Sequence, residues 1–372
     1  MADILTAIID DGVSETCGVN EHYVVTGKEV MPFIPTESFH GTMCALSFAS
    51  VTGIPYCLSI CLCRDKNGNL CSDDLITALK WCIGKRVKLV SISAGAVRSD
   101  KLRLLNDVIQ QAEEAGMIIV ASADNSGEII YPACLDSVLG VCSDYLDLLA
   151  DNEYAYVADS FDGINWVVSS DTKGFDSPVS TDYGVSNSRS AALMAGTVFN
   201  IMHNKPRDIS ADSIMSELIW SAKKCGDYGN AKFMRRKIKT GYDSDQTVIV
   251  ILYEGAIKQH NEVKDLLRQD GYRVISVKDE KPDLANSVFS LDSFNAFQTI
   301  DIKLAFDIIA SATKPDLILV DVMDHRYLMQ MDYDVFIGDR TVPDGKVNEV
   351  LVMDNENLTC SDIVTAIVNH FS

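Results

Sequence analysis

The chain is short of positive charge: 32 lysines and arginines stand against 53 aspartates and glutamates, a formal net charge of −21 at pH 7. Nucleic-acid binding needs a basic surface that neutralises phosphates, so no nucleic-acid partner is expected, whereas a basic peptide remains compatible. Also missing is any apolar run near the roughly 18–20 residues that cross a bilayer, and no membrane association is expected. The opening stretch MADILTAIIDDG has neither a basic segment nor a small-residue cleavage site, so it reads as a strand and not as an export signal. The eleven cysteines are odd in number and lack the paired spacing of a disulfide scaffold. Reduced thiols and a cytoplasmic location follow as expectations. Cys57, Cys61 and Cys63 share parity and would line one face of a strand. They read as small buried core residues, not ligands, and neither a metal nor a cofactor is expected.

What is present is alternation. At 372 residues the chain suits two domains of roughly 150–200 residues each. Strand-like runs at 4–10, 54–63, 87–94, 117–123 and 137–143 are separated by amphipathic stretches at 73–85 and 100–116, where apolar residues recur at three and four. A further stretch, 190–204, is apolar all round, as a buried helix is. This pattern predicts an α/β fold with a mostly parallel sheet in three layers. Residues 227–246 are polar and basic without apolar period and read as a linker. Strand and helix then alternate again: strands at 247–253, 272–277, 316–322 and 349–354, with helices at 260–271, 300–313 and 360–371. The expected organisation is a first domain over 1–226, the linker, and a smaller Rossmann-like α/β domain over 247–372. No internal repeat is visible.

Three reactive side chains fall where a strand ends or a helix begins. Asp10 closes the first strand in AIIDDG, His40 precedes Gly41-Thr42, and Ser188 lies in GVSNSRSAALMAG just ahead of the buried helix. Acyl transfer needs a hydroxyl nucleophile, an imidazole base, and a carboxylate that fixes the imidazole tautomer. Each residue alone has a plainer reading: Asp10 as a turn former, His40 as a structural histidine, Ser188 as a helix cap.

In the order Asp, His, Ser, these stretches resemble the subtilisin-like serine peptidases, the subtilases. The family carries D-[ST]-G, where this chain has Asp10-Asp11-Gly12. It carries H-G-T-H-V-A-G, where this chain has His40-Gly41-Thr42 and then departs at Met43-Cys44. Its serine motif G-T-S-M-A-x-P-x-x-A-G corresponds to Ser186 through Gly196. Ser186, Ser188 and Ser190 compete there, and counting back from Ala195-Gly196 selects Ser188, with Ala192 in the proline slot. The VASADNSG stretch is similar to the family's A-A-G-N and implies Asn125 as the side-chain oxyanion donor, a group worth about 3–4 kcal/mol in the transition state. The Ser188 N–H at a helix start would be the second donor.

The segment 91–97 is similar to the family's substrate-pairing edge and implies Ser93, Ala94 and Gly95 as substrate contacts by strand addition. Ile130 and Tyr131 resemble the border of the pocket for the side chain before the scissile bond, with Ile130 favouring small or medium side chains. The resemblance covers nearly all of 1–225. It implies a serine endopeptidase acting on a peptide or protein, and the missing export signal makes an intracellular one the expectation.

With the first strand read from residue 4, no folding-assistant pro-segment is expected. Narrow specificity is therefore expected, with the leader of a ribosomally made, modified peptide as the candidate substrate. The second domain would bind that leader or form a homo-oligomer. The competing class is a catalytically inactive, peptide-binding scaffold, which the altered serine motif and Asp124, a carboxylate beside the oxyanion position, would favour. Asp124 is expected to face solvent. Residues 64–69 resemble a calcium loop but fail its glycine spacing, and Asn67-Gly68 reads as a turn. In the second domain no phosphate-cradling glycine motif follows the first strand, and Asp321, Asp324 and His325 read as a solvated strand end.

Overall fold

The computed structural model describes residues 4–34, 40–53, 57–62, 71–96, 101–158, 160–169, 186–205, 209–223, 247–252, 259–295, 302–321, 333–338, 347–352 and 359–370. Cys63, the 64–69 loop, Val97, the 227–246 segment, Asp324 and His325 lie outside these residues. The chain divides into two compact units, Met1–Tyr228 and Gly229–Ser372.

The first unit is built from β1 (Thr6–Asp10), β2 (Glu21–Thr26), β3 (Glu29–Pro32), α1 (His40–Thr52), β4 (Cys57–Cys61), α2 (Ser72–Gly84), β5 (Leu89–Ile92) and α3 (Leu102–Glu114), followed by β6 (Ile118–Ser122), β7 (Leu139–Ser143), β8 (Tyr154–Tyr156), β9 (Trp166–Val168), α4 (Asn187–His203) and α5 (Ala211–Ser221). Its nine-stranded sheet has the order β3-β2-β4-β1-β5-β6-β7-β9-β8. Every pairing is parallel except the two at the edges, β2 with β3 and β8 with β9. Strands buried on both faces must be apolar throughout, and β1, β5, β6 and β7 are buried at every residue.

Helices α1 and α4 share one core with β5, β6, β7 and β9. Phe48 of α1 meets Phe199 of α4 edge-on, with ring centroids 5.9 Å apart. The two helices approach closely at Gly196, where an added Cβ would lie 2.8 Å from the Val51 Cβ. Helix α3 is amphipathic and buries Leu105, Val108, Ile109 and Ala112, and it packs with α2 away from that core. The carboxyl ends of the central strands and the amino ends of α1 and α4 converge on one edge, where open α/β sheets hold their ligands.

Helix α4 begins at Asn187, three residues before the apolar pattern predicts, so Ser188 lies in its first turn and not ahead of it. Ser186 is the N-cap, with extended backbone at φ −134° and ψ 129° and no side-chain cap bond. The anchor for that turn is the Asn187 side chain, described below.

The second unit holds β10 (Val248–Leu252), α6 (His260–Gln269), β11 (Val274–Lys278), β12 (Val288–Ser290), α7 (Asp292–Asn295), α8 (Ile302–Thr313), β13 (Leu317–Asp321), β14 (Tyr333–Gly338), β15 (Val347–Val352) and α9 (Cys360–His370). Its six strands, all parallel, have the order β12-β11-β13-β10-β14-β15. Helices α6 and α9 cover one face in a common core.

Because Gly196 sets the α1–α4 approach, Gly196→Val is expected to wedge the helices apart at a cost of about 1–3 kcal/mol. The thermal midpoint of the purified protein would fall; an unchanged midpoint would show that the contact is not limiting.

Candidate active site

Asp10 ends β1 between β4 and β5 and is 1% exposed. Its Oδ1 accepts the Asp11 N–H at 2.7 Å and lies 2.8 Å from His40 Nδ1. His40 is the first residue of α1, and its neighbours lock it to the β1 end. The Gly41 N–H donates to Asp11 Oδ1 at 3.0 Å, and the Ser14 N–H donates to Thr42 Oγ1 at 2.9 Å. Gly41 has to be glycine, because a Cβ there would collide with the Gly12 carbonyl oxygen and lie 3.0 Å from the Asp10 Cβ. The His-Gly-Thr sequence thus has a local logic: imidazole, close approach, hydroxyl brace. Asp11 thus caps the start of α1.

Burial alone would push the Asp10 carboxyl up. The hydrogen bond and charge of His40, with the Asp11 N–H, outweigh that and hold it below its ordinary value. Cys44, one helical turn after His40, is buried, and its Sγ accepts the Ser93 hydroxyl at 3.2 Å. Burial, then the Asp10 charge, pushes its thiol well above the usual range, so it is a neutral packing group. Among the described residues, donor atoms of Asp10, His40 and Cys44 form the one cluster tight enough for a metal, all within 4.8 Å of one another. Asp10 and His40 are already bonded to each other there.

At the start of α4 the three competing serines have different surroundings. Ser190 is 0% exposed and pairs with Ser143 at 2.9 Å between hydroxyl oxygens. Ser186 stands outside the helix as its N-cap. Ser188 is 6% exposed and belongs to the first turn, whose amides have no acceptor within the helix. Asn125, just past the end of β6, is exposed, and its Oδ1 accepts the Asn187 N–H at 3.2 Å.

Asp124 is partly exposed. Its Oδ2 accepts the N–H groups of Ser126 at 2.7 Å and Glu128 at 3.3 Å, and the Ser126 hydroxyl. The carboxylate caps its own turn.

The candidate pocket edge is a two-stranded bridge. Ala96 and Tyr131 exchange both main-chain bonds at 2.9 Å, so the Tyr131 backbone is engaged within the protein. Ser93 donates its N–H to Ile9 at 3.2 Å and its hydroxyl to Cys44, while Ala94 is buried. Gly95 faces Ile130 so closely that an added Cβ would lie 2.6 Å from Ile130 Cγ1. Ile130 therefore lies across Gly95 and narrows the space between the two segments. Sequence reasoning missed Asn187, whose one signal was its place directly before Ser188.

Residues 2–237 match the model of the subtilase family. The minor extracellular protease Epr of Bacillus subtilis strain 168 is 32% identical over 80 residues, which are 21% of this chain and 12% of that protein. The chain thus aligns with far less than two thirds of that relative's length. Among solved structures, a lanthipeptide protease is similar at 18% identity and a TM-score of 0.43, over 57% of this chain and 78% of that one. The prenylagaramide maturation protease PagA is similar at 21% identity and a TM-score of 0.42, over 61% and 85%. A psychrophilic subtilisin-like protease, Apa1 from the Antarctic psychrotroph Pseudoalteromonas sp. AS-11, is similar at 19% identity and a TM-score of 0.31, over 37% and 36%.

The Asp10 carboxyl is held below the unfolded value of about 3.9. Its contribution to stability is therefore complete above about pH 4 and lost as pH falls through the depressed folded value. Across acid titrations followed by thermal melting, the wild-type midpoint should drop more steeply than that of Asp10→Asn. Parallel acid limbs would overturn this.

Proposed function

The chain belongs to the subtilase family over residues 2–237, and from that premise we propose that it is a serine endopeptidase with Asp10, His40 and Ser188 as its triad. The observation that carries the reading is the 2.8 Å bond from His40 Nδ1 to the buried Asp10 carboxylate. With Nδ1 so engaged, Nε2 is the nitrogen that takes the nucleophile's proton.

Ser188 Oγ attacks the peptide carbonyl as its proton passes to His40 Nε2, and Asp10 stabilises the imidazolium. The Asn125 Nδ2–H and the Ser188 N–H hold the tetrahedral oxyanion. His40 then protonates the leaving amine. In the second half-reaction water, deprotonated by His40, attacks the acyl-enzyme and Ser188 is released.

The substrate binds extended along Ser93, Ala94 and Gly95, by strand addition, and presents a small or medium side chain to the space narrowed by Ile130. A net charge of −21 favours basic peptides over acidic ones. The proposed role is dedicated processing in the cytoplasm, removing the leader of a ribosomally made, modified peptide, with the second unit as leader-binding or self-associating element. No helix among the described residues is long and apolar enough to cross a membrane. Of the two grounds for an inactive scaffold, the altered serine motif and Asp124, the second is weakened by the bonds of that carboxylate to its own turn.

A fluorophosphonate probe is expected to label the wild type at Ser188 and to leave Ser188→Ala unlabelled. His40→Ala should lower peptide kcat/KM by at least on the order of 10³-fold. Labelling at Ser186 or Ser190, or none in the wild type, would refute the assignment. On a peptide series varied before the cut, Ile130→Gly should raise kcat/KM for large side chains by about 10- to 100-fold. A uniform change across the series would remove Ile130 from the pocket.

A further inference from the structure

The side chain of Asn187, directly before Ser188, is 1% exposed, and its amide makes four hydrogen bonds. Nδ2 donates to the carbonyl oxygens of Ala123 at 3.1 Å and Asp124 at 2.9 Å. Oδ1 accepts the Ser143 N–H at 2.9 Å and the Tyr145 hydroxyl at 2.6 Å. The partners fix the amide's orientation, since carbonyls only accept and a backbone N–H only donates. Every bonding position of the amide is filled. Its main-chain N–H meanwhile donates to Asn125 Oδ1 at 3.2 Å, which leaves the NH₂ end of Asn125 for an incoming oxygen.

Two carbonyls just past the end of β6 thus find their donors on α4, and the end of β7 is tied to the same amide. We propose that Asn187 is the positioning residue of the oxyanion hole, clamping the 123–125 strand end and the β7 end to the first turn of α4. The inference rests on the roles given above to Ser188 and Asn125. Asn187 touches no reacting atom. It acts through Asn125, by keeping that amide at a fixed separation from the Ser188 hydroxyl and N–H. Oxyanion donors work because they need no rearrangement during reaction, and a misplacement near 1 Å costs on the order of 100-fold in rate.

The test compares wild type, Asn187→Ala, Asn187→Asp, Asn125→Ala and the Asn187→Ala/Asn125→Ala double variant. The readouts are ester hydrolysis, fluorophosphonate labelling and amide hydrogen exchange. Asn187→Ala should lower kcat by about 10- to 100-fold with KM little changed, and amides of 123–127 should lose protection. The double variant should be no more than about twofold slower than Asn125→Ala, because coupled residues are not additive.

Asn187→Asp keeps the shape and both donors to Oδ1, but sets a carboxylate oxygen against two carbonyls. Protonation restores one donor, so its rate relative to wild type at the same pH should rise as pH falls. A variant that merely folds poorly would show no such recovery. Additive losses, an effect on KM alone, or unchanged exchange over 123–127 would each overturn the clamp. If the wild type itself fails to label at Ser188, the peptidase reading falls, and the clamp is judged on exchange alone.

Discussion

The depth at which α4 is held governs the site. Eleven of its seventeen residues are buried, and its small residues Ala191, Ala192, Ala195 and Gly196 let it lie against α1 and the sheet together. A helix packed this deeply carries its amino end into the interior as well. The residues there are Asn187, Ser188, Arg189 and Ser190, all polar and all buried. Buried polar groups need partners, and that need accounts for the Ser190–Ser143 pair and for the saturated amide of Asn187. The polar network beneath the candidate nucleophile follows from packing: burying α4 brings its start against the strand ends, and hydrogen bonding then fixes where each atom sits.

The same edge shows how a strongly acidic chain keeps its carboxylates from disturbing one another. Asp10 is held by the Asp11 N–H and His40. Asp11 accepts the Gly41 N–H, and Asp124 accepts those of Ser126 and Glu128. Asp144 accepts those of Leu146 at 3.1 Å and Leu149 at 2.7 Å. Backbone donors with no ladder or helix partner are supplied by loop and helix starts, so each acid caps a turn instead of facing its neighbours. Asp10 shares its bonding oxygen with an imidazole. That difference in partner, more than any difference in residue type, separates the candidate catalytic carboxylate from the structural ones.

What the sequence discloses follows the same physics. The central strands were legible because burial on both faces leaves uninterrupted apolar runs such as TAIID and IIVAS. The edges were not: β2 reads EHYVVT, with exposed ends, and β8 and β9 have three residues each, too few to show a period. In the second unit β12 is equally short. The Asp10–His40 pairing was legible from motif order, since each motif carries its own local geometry. The start of α4 was misplaced because Ser-Asn-Ser looks like a loop until its partners are known, and those partners, Ala123 and Ser143, are 64 and 44 residues away. Asn187 escaped notice for that reason.

If Ile130 borders the substrate pocket as proposed, it bounds how selective the site can be through one side chain. Ile130 lying on Gly95 excludes by volume, and a hydrophobic pocket gains or loses only about 1–3 kcal/mol per methylene. Discrimination of that size sorts small side chains from large ones, but it does not single out one bond in one peptide. Under the proposed strand addition, main-chain pairing along 93–95 would add affinity and no sequence information, because every extended peptide offers the same backbone. A dedicated processing role must therefore draw its remaining specificity from contacts farther along the substrate, outside the bridge formed by Ala96 and Tyr131.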